Sequence, residues 1–304
     1  MAAWAWIPIV VWAAFAQTVR NASQRTLTAS IGTLPATLVR FLYGLPVAAL
    51  WLAAVWHGSG AAARLPAFGW AYAAWLVLGA VAQLVATAFL LAAMKERNFI
   101  VSVAYSKTEV LQVAFFGALL LQEWPTLPTT VAMLGATVGV VLLSLPQGGA
   151  RALRGAGWIS RAAVYGLASG ACFALASVGY RGAALQVAAS SPWLVGACNV
   201  LLAQALQTVL LGGYLALTQP QVFRPMLAAW RLSTVEGAMG ALASIGWLTA
   251  TALRPAADVR TLGLTEVIFS YLVSRRVFRE RLTAAERIGL LLVGAGLVVV
   301  CAQL

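Results

Sequence analysis

The chain has 304 residues, 62% of them apolar and only 9% charged. A soluble domain is roughly half apolar and about a quarter charged, so this composition excludes a soluble globular domain. The net charge of +12 comes from arginines scattered at the ends of apolar runs. That pattern orients a chain in a membrane and does not form a nucleic-acid face, so no nucleic-acid partner is expected.

A helix needs about 20 apolar residues to cross a bilayer. Ten such segments are predicted, near 3–20, 33–56, 67–93, 98–121, 127–145, 158–180, 192–216, 233–253, 258–278 and 284–303. The first is read as a span and not as a cleaved signal, because no basic stretch precedes it. Breakers fall between segments: His57-Gly58-Ser59-Gly60, Pro125 and Pro128, Pro146-Gln147-Gly148-Gly149, Pro220 and Pro255. Trp4, Trp56, Trp70, Trp124, Trp158, Trp193 and Trp230 lie near segment ends, as interfacial anchors do. The apolar runs are continuous, without period-2 alternation, which argues against a β-barrel. Cys172, Cys198 and Cys301 have no metal-binding spacing and read as small buried hydrophobes.

The chain also repeats itself. Residues 108–145 align with 265–302 without a gap, matching Thr108-Glu109-Val110 to Thr265-Glu266-Val267, and Glu123 and Thr126 to Glu280 and Thr283. The preceding segments correspond loosely: Gly79 and Gln83 to Gly240 and Ser244, Gln24-Arg25 to Tyr180-Arg181. Five spans per half is an odd number, so the second half must insert upside down relative to the first. The expected fold is therefore all-α and polytopic, with ten transmembrane helices in two inverted five-helix repeats. Residues 1–146 form the first repeat, 147–157 a connector and 158–304 the second repeat. This architecture is associated with alternating-access transporters, with the site between the halves.

Lys and Arg concentrate after odd-numbered spans, including Arg20, Arg25, Lys95, Arg97, Arg275, Arg276 and Arg287. The loops after even-numbered spans hold Arg64, Arg181, Arg254 and Arg260. The positive-inside rule then places both termini outward.

These features resemble the EamA-type branch of the drug/metabolite transporter superfamily. The Thr-Glu-Val elements stand where that family has a Leu-Glu-Pro-like element. Leu121-Gln122-Glu123 and Phe278-Arg279-Glu280 stand where it has Leu-Gly-Glu. Ala252-Leu253-Arg254-Pro255-Ala256-Ala257 looks like the family's connection between its third and fourth spans. The likeness covers essentially the whole chain. The chain departs from the pattern at Val110 and Val267, where Pro is common, and at Gln122 and Arg279, where Gly is common. The resemblance implies a ten-helix bundle around a central cavity. It implies secondary transport, often export, of small metabolites or drugs.

Carboxylates inside a span are costly and usually face a cavity, a partner or an ion path. Glu109 and Glu266 have three readings: ligands for an amine, proton acceptors coupling transport, or structural groups held by ion pairs. Residues three and four apart share a helix face, so Tyr105, Ser106, Gln112 and Glu109 form one polar stripe and Gly263, Glu266, Ser270 and Ser274 another. Gly237, Gly240, Ser244, Trp247 and Thr251 form a third, which either lines a cavity or lets helices approach closely. Arg40, inside the second span, either receives a carboxylate substrate, pairs with Glu109 or Glu266, or snorkels to the interface. Gln83, matched to Ser244, and Asn199, Gln204 and Gln207, at roughly the mirror location of Arg40, add uncharged polar groups. Lys107, two residues from Glu109, is expected on a different helix face. Glu123 and Glu280 are explained by capping or turn chemistry.

The expectation is a secondary transporter, exporting a small amphipathic metabolite such as an amino acid by alternating access. Its partners are the substrate and the bilayer, with protons as a candidate coupling ion. The alternative is proton-coupled efflux of lipophilic organic cations, held by tryptophans and carboxylates. No Ser–His–Asp set, phosphate loop or metal-ligand cluster is present in the sequence, so neither an enzyme nor a cofactor or metal is expected. The expected location is a bacterial inner or plasma membrane.

Overall fold

The computed structural model describes residues 4–58, 67–96, 99–143, 161–187, 191–279, 287–289, 291–292 and 295. The connector 147–157, Glu280, Thr283, Cys301 and most of the tenth segment lie outside the described residues. Among those described, the chain is helical with no strand. The helices are α1 (Trp6–Ile31), α2 (Thr33–Leu42), α3 (Leu45–Gly58), α4 (Trp70–Glu96), α5 (Phe99–Ser106), α6 (Glu109–Leu121) and α7 (Leu127–Leu143). There follow α8 (Arg161–Gln186), α9 (Pro192–Thr218), α10 (Phe223–Ala228), α11 (Trp230–Leu253), α12 (Ala256–Leu262) and α13 (Thr265–Arg276). Among the described residues, four stretches are long and apolar enough to cross a bilayer: Thr33–Gly58, Trp70–Glu96, Arg161–Gln186 and Pro192–Thr218.

The distribution of polarity is inverted relative to a soluble protein. Trp70 and Leu217 are each 87% exposed, whereas Arg20 and Glu236 are 0% exposed. Apolar side chains facing outward suit hydrocarbon, and polar ones facing inward can satisfy each other.

α1 runs past the predicted end at residue 20 to Ile31, where Gly32 at φ 90° stops it. No breaker intervenes, and Gln17, Arg20, Asn21 and Gln24 are buried along the helix instead of marking its end. Arg20 is therefore not a loop residue. Arg181 and Arg260, also expected in loops, lie within α8 and α12. Arg25, Lys95, Arg275 and Arg276, also used to orient the chain, likewise lie within helices α1, α4 and α13.

The most extensive helix pairs are α4 with α8 and α1 with α11. In the expected span numbering these join the third to the sixth and the first to the eighth, so exchanging halves converts one pair into the other. Both rely on glycine. A Cβ at Gly179 of α8 would stand 2.7 Å from Gly79 N of α4, and one at Gly246 of α11 would stand 2.7 Å from Ala13 Cβ of α1.

The second, fourth and ninth predicted spans are interrupted. The second breaks at Tyr43-Gly44, the fourth at Lys107-Thr108 and the ninth at Gly263-Leu264. The last two breaks match in detail without a proline. Val110 N donates to Lys107 O at 3.3 Å and Val267 N to Leu264 O at 2.9 Å, three-residue turns that replace the α ladder. The threonine hydroxyls return to the carbonyl three residues back, Thr108 to Tyr105 at 2.9 Å and Thr265 to Leu262 at 3.0 Å. Threonine thus serves a backbone group at each break, and the glutamate enters at the first turn of the next helix.

A further matched pair closes these helices. Gln122 and Arg279 are the non-glycine residues with positive φ among those described, at 57° and 53°. After Gln122 the chain turns back, Glu123 N donating to Gly117 O at 3.2 Å, a left-handed cap that glycine makes more easily.

Candidate functional site

The two helix breaks bring Glu109 and Glu266 to one centre. Lys107 Nζ lies 2.5 Å from Glu266 Oε2 and 3.4 Å from Glu109 Oε1. The expected separation of Lys107 from Glu109 is therefore overturned. It assumed an unbroken helix, and the turn at Lys107-Thr108 rotates the lysine onto the glutamate's side. Arg260 Nη1 stands 3.6 Å from Glu109 Oε1, while its Nε donates to Ser177 Oγ at 2.7 Å. Glu266 accepts from Gln17 Nε2 at 2.5 Å and Asn21 Nδ2 at 2.8 Å. Trp247 Nε1 donates to Gln17 Oε1 at 2.8 Å, and the Arg260 guanidinium sits 4.6 Å from the Trp247 ring centre.

These contacts close a ring: Trp247, Gln17, Glu266, Lys107, Glu109, Arg260 and back to Trp247. It joins α1, both sides of the fourth-span break, α11, α12 and α13. Gln17 is held in one orientation because its oxygen meets an N–H and its nitrogen a carboxylate. Gly263 makes room for Trp247, since a Cβ there would stand 2.6 Å from the far edge of the indole. The ring carries two cations and two carboxylates, all buried, and none of its buried polar atoms lacks a hydrogen-bond partner. Burying such charges is tolerable only with this degree of pairing.

Beside the ring lies a second charged group. Arg20 donates through Nε to Asn21 Oδ1 at 3.1 Å, and Asn21 continues to Glu266. Arg40 is 1% exposed, so it does not snorkel. It donates through Nη1 to Thr87 Oγ1 and lies with its guanidinium 5.0 Å from the Phe41 ring centre. Arg20 and Glu236 of α11 act on it electrostatically.

The remaining predicted site residues divide. Gln83 accepts from Tyr180 OH at 2.7 Å and from Gln207 Nε2 at 2.9 Å, one turn from the Thr87 that holds Arg40. Asn199 accepts from Tyr72 OH at 2.6 Å. Ser106 spends its hydroxyl on Val103 O at 2.7 Å. Tyr105 packs on Gly166 of α8. Ser244 and Ser270 are buried on α11 and α13.

Glu123 is not a cap. Its Oε1 receives Arg181 Nε at 2.9 Å and Nη2 at 2.7 Å, and Arg181 Nη1 also reaches Thr251 O at 3.0 Å. The cap of α7 is Thr126, whose hydroxyl accepts from Thr129 N at 3.3 Å. Thr129 Oγ1 in turn donates to Asp258 Oδ1 at 3.3 Å. These contacts tie the connection between α6 and α7, and the start of α7, to α8, α11 and α12.

This centre is sealed from solvent, each of its seven ionisable side chains being at most 5% exposed. A hollow of about 510 Å³ lies instead at α6 and α7, lined by apolar groups that include Phe115, Leu119 and Trp124.

Sequence reading missed Gln17, Arg20, Asn21, Glu236 and Arg260. A signal existed for the first three. Gln17, Arg20, Asn21 and Gln24 follow helical spacing, which becomes visible once the first helix is continued past residue 20. Glu236 stands one turn before Gly240, on the stripe that continues to Ser244.

No protein-family model and no curated protein matches the chain. Among solved structures 24 chains are similar. One, described only as the crystal structure of a protein, has a TM-score of 0.68 and 18% identity over 98% of this chain and 96% of that chain. At that identity the likeness carries the fold alone.

Proposed function

We propose that this chain is a multi-pass membrane protein of ten spans in two inverted repeats, and a secondary transporter, in the export direction, of a small amphipathic metabolite such as an amino acid. The EamA-type likeness of its motifs and its bacterial inner-membrane setting belong to the same reading. The observation that carries it is the meeting of the two repeated glutamates at two matched helix breaks, inside one sealed ring of charge drawn from both halves.

Broken helices place ends of backbone and charged side chains at membrane depth, where a solute and its coupling ion are handled. In the ring, four charges neutralise one another only while the halves are closed. Opening toward one side parts Lys107 from Glu266, and the exposed charges must then be met by water, a proton or the solute. The Glu123–Arg181 and Thr129–Asp258 contacts close one end, and Arg25, the counterpart of Arg181, lies over Phe278 at 4.3 Å from its ring centre. Alternating access follows if the two closures open in turn. No covalent step is required of any residue. The pairing of both glutamates with cations disfavours the organic-cation reading, since neither carboxylate is left to hold one.

The test is counterflow in proteoliposomes with panels of amino acids, organic acids and organic cations. Saturable flux of one class above protein-free liposomes, abolished in Glu109→Gln and Glu266→Gln, is the expected result. Absence of saturable flux for every class overturns the transport reading. Wild-type flux in the double variant removes the ring from the mechanism.

A further inference from the structure

Among the described residues the buried ionisable side chains are Arg20, Arg40, Lys107, Arg260, Glu109, Glu236 and Glu266. That is four cations against three carboxylates. The ring of Lys107, Arg260, Glu109 and Glu266 is neutral in itself, so the excess positive charge resides in the group formed by Arg20, Arg40 and Glu236. An unbalanced charge sealed within an apolar bundle is expensive.

The same group holds the densest set of unused polar atoms. Arg20 Nη1, Arg40 Nε and both amide atoms of Gln204 are buried without a hydrogen-bond partner, while the buried Gln24 amide and Glu236 carboxyl adjoin one another. Native interiors leave few such atoms, and each asks for an explanation. They belong together in space. Glu236 feels Arg20, Gln24 and Arg40. A Cβ at Gly240, one turn on, would stand 3.2 Å from Arg40 Cγ and 3.3 Å from Arg20 Cδ, so this glycine is where α11 lets both arginine stems pass. Gln204 Oε1 and Gly237 O stand 2.8 and 3.1 Å from the same point at Gly44, the break between α2 and α3. This cluster therefore adjoins a third helix interruption.

We infer that Arg20, Arg40 and Glu236, with Gln24 and Gln204, form the subsite that receives the carboxylate end of the transported metabolite. The inference rests on the transport reading and adds to it the chemical group recognised and the residues that recognise it. A carboxylate supplies the missing negative charge, and its oxygens match the guanidinium N–H groups left unused. Glu236 adjoins the same group, next to Gln24 and within reach of both arginines. It suits an ammonium if the metabolite is an amino acid and is a bystander if it is a simple organic acid. Arg20 connects the subsite to the ring through Asn21 and Glu266. A ligand that draws Arg20 away loosens Glu266, which is a direct route from occupancy to opening.

The experiment uses the full chain in proteoliposomes, with counterflow of alanine, lactate and tetraphenylphosphonium. Wild type is compared with Arg40→Gln, Glu236→Gln and Gly240→Ala, and the melting temperature of each ligand-free protein in detergent checks folding. A carboxylate probe is expected to be carried, with half-saturation raised about tenfold or more in Arg40→Gln, the loss of a hydrogen bond to a charged group. Should Arg40→Gln fail to fold, Gly240→Ala keeps every charge, presses on both arginine stems and is expected to weaken the same probe. Glu236→Gln sorts the two carboxylate classes: it weakens alanine if an amino acid is the cargo and spares lactate if an organic acid is. Carboxylate flux with unchanged half-saturation in both Arg40→Gln and Gly240→Ala overturns the subsite and leaves transport standing. Flux of tetraphenylphosphonium alone does the same. No saturable flux of any probe overturns the transport reading beneath it.

Discussion

Two groups of buried charge lie side by side in this protein and differ in how far they are satisfied. The ring around Glu109 and Glu266 has equal numbers of cations and carboxylates, and its buried polar atoms are all hydrogen-bonded. The neighbouring group has two arginines, one glutamate and several idle donors and acceptors. Repetition in the sequence pointed to the ring, yet the ring is the saturated group. The unrepeated residues are those with capacity to spare. A symmetric element shared by both halves suits closure, whereas a ligand with one charged end needs an asymmetric receptor.

The difference can be broken most forcefully at Lys107. Lys107→Met leaves Glu266 without its cation, and removing one partner of a buried pair costs about 3–5 kcal/mol. The denaturant midpoint in detergent is expected to fall accordingly, with most of the loss recovered in Lys107→Met/Glu266→Gln. An additive double variant would show that the pair is not coupled. Gly263→Ala tests the packing that holds the ring's tryptophan. The added methyl meets the indole at 2.6 Å, and overpacking of this kind costs about 1–3 kcal/mol. A shift in tryptophan fluorescence relative to Trp247→Phe controls is the readout.

In the neighbouring group the sign reverses. Arg40→Met removes the excess cation and is expected to be neutral or stabilising by about 1 kcal/mol, as buried ionic groups replaced by apolar ones often are. A loss as large as that of Lys107→Met would erase the distinction between the two groups. The smallest expected effect lies outside both. Gln122→Gly and Arg279→Gly relieve left-handed backbone in matched caps, each worth about 1 kcal/mol of added stability. Equal gains at the two positions would support the equivalence of the repeats.

Much of the architecture was legible in the sequence. Continuous apolar runs gave the helices, because hydrocarbon demands that backbone groups be satisfied within the segment. The spacing of Thr-Glu-Val predicted two equivalent positions, and both became helix starts. The interruption itself was not legible, since no proline marks Lys107-Thr108 or Gly263-Leu264 and the threonine hydroxyls perform the compensation locally. The length of α1 is hidden in the sequence for a related reason. Arg20 looks like an end when charge is read as exposure, but it is interior here because Asn21 receives it and other helices exclude lipid from it. Glu123 looks like local turn chemistry in the sequence, but its partner Arg181 is 58 residues away.

The sequence alone determined the solvent preference of each helix face, the duplication and the positions where two carboxylates enter the bundle, since these depend on composition and period. It could not decide which charges meet. Lys107 and Glu266, or Gln17 and Trp247, are remote in the chain, and their contacts exist only because broken helices and glycine-mediated crossings place them together. Electrostatic pairing depends on distances of a few ångström, and those distances are set by the tertiary structure.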